Sequence, residues 1–327
     1  MKIAIVGATG EVGRMIITCL QELNIRPQEL DLYASAKSRG QVLYYLDNPT
    51  VVQELTERSL SKHYDYVFFS AGGGIANAYA PAALQSSEVI IDNSSAFRQD
   101  AAIPLIVPQI NADLLRGYQG IVSNPNCSTI QMVLPLAILD KEYHLKKVVV
   151  STYQAVSGSG HGGIETLEKQ RQGSSLKGIY PEPIDLNVIP QIGVFLDSGY
   201  STEEEKMCQE TRKILGREDI GISVTAVRVP VIYGHSLSVY AEFERELDLK
   251  KTAEMLGQAD AINYHENSFI TPLGLGTSNA SHVCRLRQGV DGYSLTFWNV
   301  GHNVRIGAAA NAVNIMYAHA LQAGKIG

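Results

Sequence analysis

Short apolar runs alternate with helical patterns along the first 125 residues of the chain. Runs of this length without polar alternation indicate strands that are buried on both faces of a parallel sheet. Between the first two runs, Glu11–Asn24 repeats apolar side chains at the spacing of one helix face. The succession of strand, helix and strand predicts a doubly wound, Rossmann-like sheet. The predicted strands are Ile3–Val6, Leu30–Ala34, Tyr64–Ala71, Val89–Ile91, Leu105–Val107 and Ile121–Val122.

The middle of the chain follows a different pattern, in which apolar and polar residues alternate. Ser236–Phe243 alternates strictly, as expected of a strand in an antiparallel sheet with one exposed face. Val290–Gly292 separates two strand-like segments and indicates a hairpin. This region therefore predicts an α+β domain with a mixed, largely antiparallel sheet. Its other predicted strands are Val148–Val156, Ser223–Val231, Ser281–Gly289 and Tyr293–Val300.

Two further helices complete the predicted domains. Thr202–Leu215 has helical periodicity, with Thr202 as the expected N-cap and Glu205 in the capping-box position. Val304–Ala323 is rich in alanine and has no proline, which also predicts a helix. A Rossmann-like domain often takes its last helix from the C-terminus. The predicted domains are 1–125 together with 301–327, and 126–300.

Composition narrows the class of protein. The 327 residues exceed what one hydrophobic core usually organises, and 45% hydrophobic residues is ordinary for a globular chain. A net charge of −6 without a block of Lys or Arg argues against a nucleic-acid or anionic-membrane partner. Four Cys without Cys-x-x-Cys spacing argue against a disulfide scaffold, and no His or Cys pair has ligand spacing, so no metal site is predicted.

The beginning of the chain carries no recognisable targeting signal. One basic residue precedes a short apolar run, whereas a secretory signal needs a longer one and a cleavage site. The sequence also contains no stretch of about 18 apolar residues. We therefore expect a cytoplasmic protein without a membrane span.

Gly7–Gly13, here called the glycine turn, reads Gly-Ala-Thr-Gly-Glu-Val-Gly between a predicted strand and a predicted helix. Glycines at these positions permit a tight turn and let backbone amides approach a pyrophosphate at the helix N-terminus. The position of the motif makes a dinucleotide the expected ligand, with a ligand-free turn as the alternative.

The end of the second predicted strand bears on the choice of nucleotide. NAD-binding domains usually place an Asp or Glu there, but this chain has Ser35, Lys37, Ser38 and Arg39. Hydroxyls and cations suit a 2′-phosphate, which favours NADP over NAD. The alternative is a solvated basic loop, because Lys and Arg are common at surfaces.

Cys127 follows Ser123-Asn124-Pro125-Asn126 and precedes a long apolar run. A cysteine at the start of a helix is activated as a thiolate by the helix dipole and the free amides, which makes it a candidate nucleophile. Asn126 and Ser128 can donate hydrogen bonds to an oxyanion. The alternative is a small core residue, the interpretation we prefer for Cys19, Cys208 and Cys284.

Arg228 ends one predicted strand, and His235 begins the next after a short turn that contains Gly234. Arg suits a planar carboxylate through two parallel hydrogen bonds, and His can move protons near pH 7. A structural histidine is the equally weighted alternative for His235.

Taken together, these motifs resemble the aspartate-semialdehyde dehydrogenase family across nearly the whole chain. The resemblance implies a Rossmann-like NADP domain, a catalytic and dimerisation domain, and a homodimer, which the charged share of only 18% also suggests. The matching segments, in family order, are Gly7–Gly13, Asp92–Arg98, Ser123–Thr129, Tyr153–Gly158, Asn187–Pro190, Glu203–Lys206, Arg228–Val231 and Gly234–Ser236.

The resemblance implies the NADPH-dependent, reversible conversion of 4-phospho-L-aspartate into L-aspartate 4-semialdehyde and phosphate, on the route to lysine through diaminopimelate, threonine and methionine. Cys127 would carry an acyl-thioester, His235 would be the general acid/base and Gln154 would orient the intermediate. The implied substrate-binding residues are Arg228 and Glu203 for the carboxylate and amino group, and Arg98, Asn126 and Lys206 for the phosphate. The implied cofactor-binding residues are Gly7, Thr9, Gly10, Glu11, Val12, Ser35, Lys37, Ser38, Ser157, Gly158 and Asn303.

Two other functions stay open at this point. One keeps the chemistry but changes the substrate, as in N-acetylglutamyl-phosphate reductase. The other is a nucleotide-binding paralogue that has lost catalysis, since a fold does not guarantee its function. Cys127, Gln154, Arg228 and His235 are all present, which favours the active enzyme.

Overall fold

The computed structural model describes residues 1–326, which form two compact units. The first unit contains Met1–Pro125 and the chain from Ala308 onward. The second contains Asn126–Gly307. Each unit is built around its own sheet.

The first unit contains a seven-stranded sheet. Its strands are β1 (Lys2–Val6), β2 (Glu29–Ala34), β3 (Val42–Tyr45), β4 (Asn48–Glu54), β5 (Tyr66–Phe69), β6 (Val89–Asp92) and β7 (Gly120–Ser123). They are ordered β3-β4-β2-β1-β5-β6-β7, and every neighbouring pair is parallel except β3 with β4. The central strands are buried along nearly their whole length, which is why they read as unbroken apolar runs.

Helices cover both faces of this sheet. They are α1 (Glu11–Glu22), α2 (Gly73–Leu84), α3 (Pro108–Asn111) and the last helix, α8 (Ala310–Gln322). One apolar layer joins α1 and α8 to the sheet, and the other joins α2 to it. The predicted doubly wound architecture is therefore confirmed.

The second unit contains a six-stranded mixed sheet. Its strands are β8 (Leu145–Gln154), β9 (Gly221–Arg228), β10 (His235–Phe243), β11 (Ile262–His265), β12 (Ser281–Gln288) and β13 (Ser294–Gly301). They are ordered β11-β12-β13-β10-β8-β9, with parallel pairs at the two edges and antiparallel pairs between them. The predicted mixed, largely antiparallel sheet is confirmed.

Four helices belong to the second unit: α4 (Cys127–Tyr143), α5 (His161–Arg171), α6 (Thr202–Leu215) and α7 (Leu249–Gly257). Helix α4 packs against the sheet and also against α6 and α7, which contact the sheet themselves. Burial on all sides explains why its sequence is an apolar run rather than an amphipathic pattern. None of the helices in residues 1–326 has both the length and the apolar character needed to cross a bilayer.

Three local predictions need correction. Leu105–Val107 is not a strand, because only an isolated bridge joins Leu105 to Ser123. The cap of α6 lies one residue earlier than expected. The Ser201 hydroxyl accepts from the Glu204 amide, and the Glu204 carboxylate accepts from the Ser201 amide. A π-helical turn over Arg305–Ala309 precedes α8, so the last predicted helix is not α-helical throughout.

Candidate active site

Cys127 occupies the first helical position of α4, directly after the N-cap Asn126. The Asn126 side chain accepts hydrogen bonds from the amides of Ser128 and Thr129, at 2.9 and 3.3 Å. This cap makes the helix start at a defined residue and places the cysteine in its first turn. Gly307 packs against it so closely that a Cβ there would lie 2.8 Å from the Cys127 Cβ.

Two buried carboxylates hold Asn126 in place. Glu210 Oε2 accepts from its backbone N–H at 2.6 Å, and Glu203 Oε1 accepts from its side-chain Nδ2 at 2.8 Å. The same Glu203 oxygen also accepts from Gln154 Nε2 at 3.2 Å. Direct hydrogen bonds therefore bring together Asn126, Gln154 and Glu203, which are far apart in the chain.

The sheet register explains how the polar side chains converge. Gln154 and Arg228 face each other at the carboxyl ends of the parallel strands β8 and β9. His235 starts the antiparallel strand β10, whose next residue, Ser236, pairs with Tyr153 of β8. The ends of two strands and the beginning of a third thus lie at one edge of the sheet.

The backbone N–H and C=O of Ala155 connect Arg228 to His235. Arg228 Nη1 donates to the Ala155 carbonyl at 2.7 Å, and the Ala155 amide donates to His235 Nδ1 at 3.0 Å. The His235 side chain is completely buried. Burial lowers the pKa of His235 well below its ordinary value, and the positive charge of Arg228 and the nearby His302 lower it further.

Gly158 has a packing reason for lacking a side chain. A Cβ at this position would lie 2.8 Å from Arg228 Nη1 and 3.3 Å from His235 Nε2. Any larger residue would collide with the guanidinium and crowd the imidazole. This glycine therefore shapes the site, in addition to the cofactor contact predicted for it.

Ser157 and Asn303, also predicted to contact the cofactor, bond to each other. Asn303 Nδ2 donates to Ser157 Oγ at 2.9 Å, and Asn303 Oδ1 accepts from the Gly234 amide at 2.8 Å. Asn303 thereby ties the loop after β8 to the turn before His235. This turn needs a glycine because Gly234 has φ +93°.

The remaining predicted substrate residues lie on two different elements. Lys206 is on α6, in the turn after Glu203, and is half-buried. Arg98 belongs to the first unit, is buried, and donates from Nη2 to the Asn93 carbonyl at 2.8 Å.

The glycine turn of the first unit has the geometry that its sequence predicts. Gly7 has φ +83°, and a Cβ there would lie 2.8 Å from the Ser70 carbonyl carbon. A Cβ on Gly13 would lie 2.2 Å from the Gly7 oxygen, so α1 approaches the turn directly. The N-cap of α1 is Gly10, which has no side chain to cap the first amides, and Glu11 and Val12 begin the helix.

The loop after β2 lies beside this turn. Thr9 Oγ1 donates to Ser38 Oγ at 3.2 Å. Ser35 precedes a short 3-10 turn over Ala36–Ser38, and Lys37 within that turn is exposed. Hydroxyls and an exposed cation therefore stand next to the open start of α1.

Sequence reasoning missed two parts of the site. Glu210 was not singled out, although it lies seven residues after Glu203 and hence on the same face of α6. That spacing was the available signal. Nothing in the sequence could have indicated the role of the Ala155 backbone, since a main-chain amide is present at nearly every position.

Comparison with known proteins places this geometry in a family. The family described as "Semialdehyde dehydrogenase, NAD binding domain" matches residues 2–118, and "Semialdehyde dehydrogenase, dimerisation domain" matches residues 136–306. The aspartate-semialdehyde dehydrogenase of Aquifex aeolicus is 42% identical over 96% of both chains, and that of Bacillus subtilis is 38% identical over 96% of both.

A solved structure agrees with both the sequence and the fold. Aspartate semialdehyde dehydrogenase II of Vibrio cholerae, complexed with ASA, is 37% identical, covers 97% of both chains and superposes with a TM-score of 0.93. Similarity of this extent includes both sheets. The chain therefore belongs to the aspartate-semialdehyde dehydrogenase family, whose members are oxidoreductases with a dinucleotide-binding domain and a dimerisation domain.

Proposed function

We propose that the protein catalyses the reversible, NADPH-dependent reductive dephosphorylation of 4-phospho-L-aspartate to L-aspartate 4-semialdehyde. The observation that carries this proposal is Cys127 in the first turn of a helix whose cap residue, Asn126, is bonded to Glu203. The names of the relatives agree with this substrate. In a cell the product would feed lysine (through diaminopimelate), threonine and methionine.

Cys127 is the proposed nucleophile. Its thiolate attacks the carbonyl carbon of the acyl phosphate, a C–S bond forms, and the C–O bond to phosphate breaks as phosphate leaves with its electron pair. The product of this half-reaction is a thioester on Cys127. NADPH, when bound, supplies the hydride that reduces the thioester carbon. Cleavage of the C–S bond then releases the aldehyde and restores the thiolate.

The charged side chains suit the two ends of the substrate. Arg228 is only 4% exposed, and a guanidinium taken this far from water is stabilised by an anionic partner such as the substrate carboxylate. Glu203 is the proposed partner of the amino group. Arg98, Asn126 and Lys206 are the proposed phosphate-binding residues, Gln154 orients the intermediate, and His235 transfers protons.

The glycine turn fits NADP. A positive φ at Gly7, the close approach at Gly13 and the absence of a side-chain cap at Gly10 leave backbone amides for a pyrophosphate. Ser35, Lys37 and Ser38 suit a 2′-phosphate, and Thr9, Glu11 and Val12 line the turn. The proposed cofactor contacts of Ser157, Gly158 and Asn303 rest on the resemblance alone.

A homodimer is proposed through the uncovered face of the second sheet. Val149, Tyr153 and Trp298 project from this face, with the Tyr153 and Trp298 rings 5.4 Å apart. Val149 is 43% exposed in the isolated chain, and the matched family segment is a dimerisation domain. Sedimentation at micromolar concentration should show a dimer that Val149→Asp converts to a 35.6 kDa species. A wild-type monomer would refute the proposal.

The activity is tested by supplying L-aspartate 4-semialdehyde, phosphate and NADP⁺ and measuring NADPH. We expect NADPH formation that requires phosphate and is weaker with NAD⁺. N-acetylglutamate 5-semialdehyde is the matched substrate control, and preference for it would reassign the substrate. Nucleotide binding without turnover of either aldehyde would indicate a non-catalytic paralogue.

A further inference from the structure

Gln131 lies one helical turn after Cys127 on α4 and is fully buried. Residues four apart share a helix face, so the two side chains leave α4 on the same side. Gln131 Nε2 donates to the backbone carbonyl of His235 at 3.1 Å. His235 is the first residue of β10 and pairs with Gly301, the last residue of β13. The side-chain amide therefore joins the cysteine helix to the end of a strand pair.

The main chain of Gln131 is also bonded to the sheet. Pro135, four residues later in α4, has no N–H, so the Gln131 carbonyl lacks its usual helical donor. Ser281 Oγ on β12 donates to this carbonyl instead, at 2.8 Å. The same hydroxyl accepts from Asn299 Nδ2 at 2.7 Å, which fixes the direction of its proton. Side chain and main chain of one residue thus bind α4 to β10 and to β12.

The presence of an amide at this position is not explained by stability. Gln131 Oε1 is buried, and no described residue donates a hydrogen bond to it. The side chain fits only because residue 301 is a glycine, whose Cβ would lie 2.6 Å from Oε1. A buried acceptor without a partner is destabilising, and a methionine of the same length would fill this space without one. The glutamine is therefore explained by the bond that its Nε2 makes.

The two bonds fix α4 along the direction of the strands. Helix α4 packs against β8, β10, β12 and β13 mainly through apolar side chains, and apolar contact by itself has no preferred direction. Hydrogen bonds do, because donor and acceptor must stay within narrow limits of distance and angle. Gln154 and Arg228 lie at the carboxyl ends of β8 and β9. A slide of α4 along the strands would therefore change the distance from Cys127 to both.

Resting on the proposed function, we propose that Gln131 is a positioning residue for Cys127. It holds the first turn of α4 in place along the sheet, so that the sulfur meets the carbonyl carbon of a substrate bound by Arg228. Attack by a thiolate needs the two reacting atoms about 3–3.5 Å apart, and a displacement of about 1 Å can lower the rate by about 10²-fold. Because Arg228 is on β9 and not on α4, loss of Gln131 should lower kcat and leave KM for the aldehyde unchanged.

The first test is Gln131→Met, which keeps the length of the side chain and removes both the Nε2 donor and the unpaired oxygen. With L-aspartate 4-semialdehyde, phosphate and NADP⁺, we expect kcat to fall by about tenfold to a hundredfold, with KM for the aldehyde unchanged. The melting temperature should not fall, because the loss of one hydrogen bond is offset by the removal of a buried acceptor without a partner. Unchanged kcat would overturn the proposal. A lower kcat together with a lower melting temperature would overturn it too, since that combination indicates a packing defect.

Met132→Leu is the matched control, because Met132 is also fully buried and points about 100° away around the same helix. We expect the kcat of the wild type. An equal fall in this control would show that any change in the helix slows the enzyme, and would overturn the assignment to Gln131. The wild type is assayed in parallel. A wild type without phosphate-dependent NADPH formation would refute the proposed function, whereas an active wild type and an equally active Gln131→Met would refute only the role of Gln131.

The second test needs no substrate. The rate of Cys127 alkylation by iodoacetamide is followed against pH in wild type and Gln131→Met, with Cys127→Ala as the background control for the three buried cysteines. The thiolate is stabilised by the first turn of α4 itself, which moves together with the cysteine, so we expect the same pH profile in both proteins. A profile displaced by about one unit or more in the variant would show that Gln131 affects activation of the thiol, and would overturn a role in positioning.

The third test examines the main-chain bond through thermal stability. Ser281→Ala leaves the Gln131 carbonyl without the hydroxyl, so the melting temperature should fall. Pro135→Ala restores an amide four residues after that carbonyl, and in this background the further change Ser281→Ala should lower the melting temperature less. The same loss in both backgrounds would mean that Ser281 does not serve the carbonyl that Pro135 leaves open, and would refute the attachment of α4 to β12.

Discussion

The glycine turn of the first unit and the cysteine site of the second differ in how their residues are distributed along the chain. The turn consists of Gly7–Gly13, contiguous in sequence, with the loop after β2 and Ser70 beside it. The cysteine site joins Asn126 to Glu203 and Glu210, 77 and 84 residues away. The turn is a local backbone shape, and the cysteine site is a network that exists only once α4, α6 and the sheet have packed.

This difference predicts how each region responds to mutation. Single changes in the turn should act through backbone strain near the changed residue. Single changes in the cysteine site should propagate through hydrogen bonds to residues far away in the chain. The following experiments probe that contrast, from the largest expected effect to the smallest.

Cys127→Ala should abolish phosphate-dependent NADPH formation, because no other group at that position can carry the acyl chain. The fold should persist, since the thiol is only partly buried. Activity assays together with thermal unfolding would check both expectations. Cys19→Ala, in the buried core of the first unit, is the control and should retain activity. If Cys127→Ala retained turnover, Cys127 would not be the nucleophile.

Gly158→Ala should lower kcat by about 10²-fold, because the added Cβ would meet Arg228 Nη1 at 2.8 Å and displace reacting groups by about an ångström. Gly162→Ala is the matched control, since its Cβ would be 3.7 Å from Ile179, an ordinary contact. If both variants behave alike in steady-state kinetics, the close packing at Gly158 has no catalytic consequence.

Glu210→Ala should destabilise the protein by about 1–3 kcal/mol, because it leaves the buried amide of Asn126 without its acceptor. Glu210→Gln can still offer an oxygen and should lose less. Denaturant unfolding gives the free energies, and kcat/KM reports whether Cys127 has moved with its cap. Equal losses of stability in the two variants would mean that the hydrogen bond is unimportant compared with the charge.

Gly13→Ala should weaken NADP binding and lower the melting temperature, because a Cβ cannot fit 2.2 Å from the Gly7 oxygen. Gly10→Ala has room, with its nearest contact at 3.5 Å and φ −76°, and should change both quantities far less. Cofactor titration and thermal unfolding measure the two effects. A larger loss in Gly10→Ala than in Gly13→Ala would contradict the close approach of α1 to the turn at Gly13.

Lys37→Ala should have the smallest effect. Its side chain is exposed, so stability should not change, while affinity for NADP should fall by about tenfold and affinity for NAD should not. Parallel titrations with the two nucleotides provide the comparison. An equal loss for both would assign Lys37 to general electrostatics rather than to the 2′-phosphate.

The fold was largely predictable from sequence because each unit has a simple burial pattern. Unbroken apolar runs marked β1, β5 and β6, and strict alternation marked β10. The hairpin of β3 and β4 at one edge of the sheet went unpredicted, since an exposed hairpin has no strong periodicity. Helix α5 was hidden by glycines: Gly163 is required where a Cβ would lie 2.3 Å from the Val156 carbonyl oxygen, a contact that sequence does not reveal.

The sequence by itself determined the chemical groups of the protein: the glycine turn, the cysteine at a helix start, and the Arg and His on either side of Gly234. These are encoded locally, by residue type and by short-range periodicity. Only the tertiary structure decided how the groups are used. Glu203 and Glu210 became the supports of Asn126, and the Ala155 amide became a hydrogen-bond donor to His235 Nδ1. Hydrogen bonds between strand ends and helix turns depend on register and packing, and no single stretch of sequence specifies them.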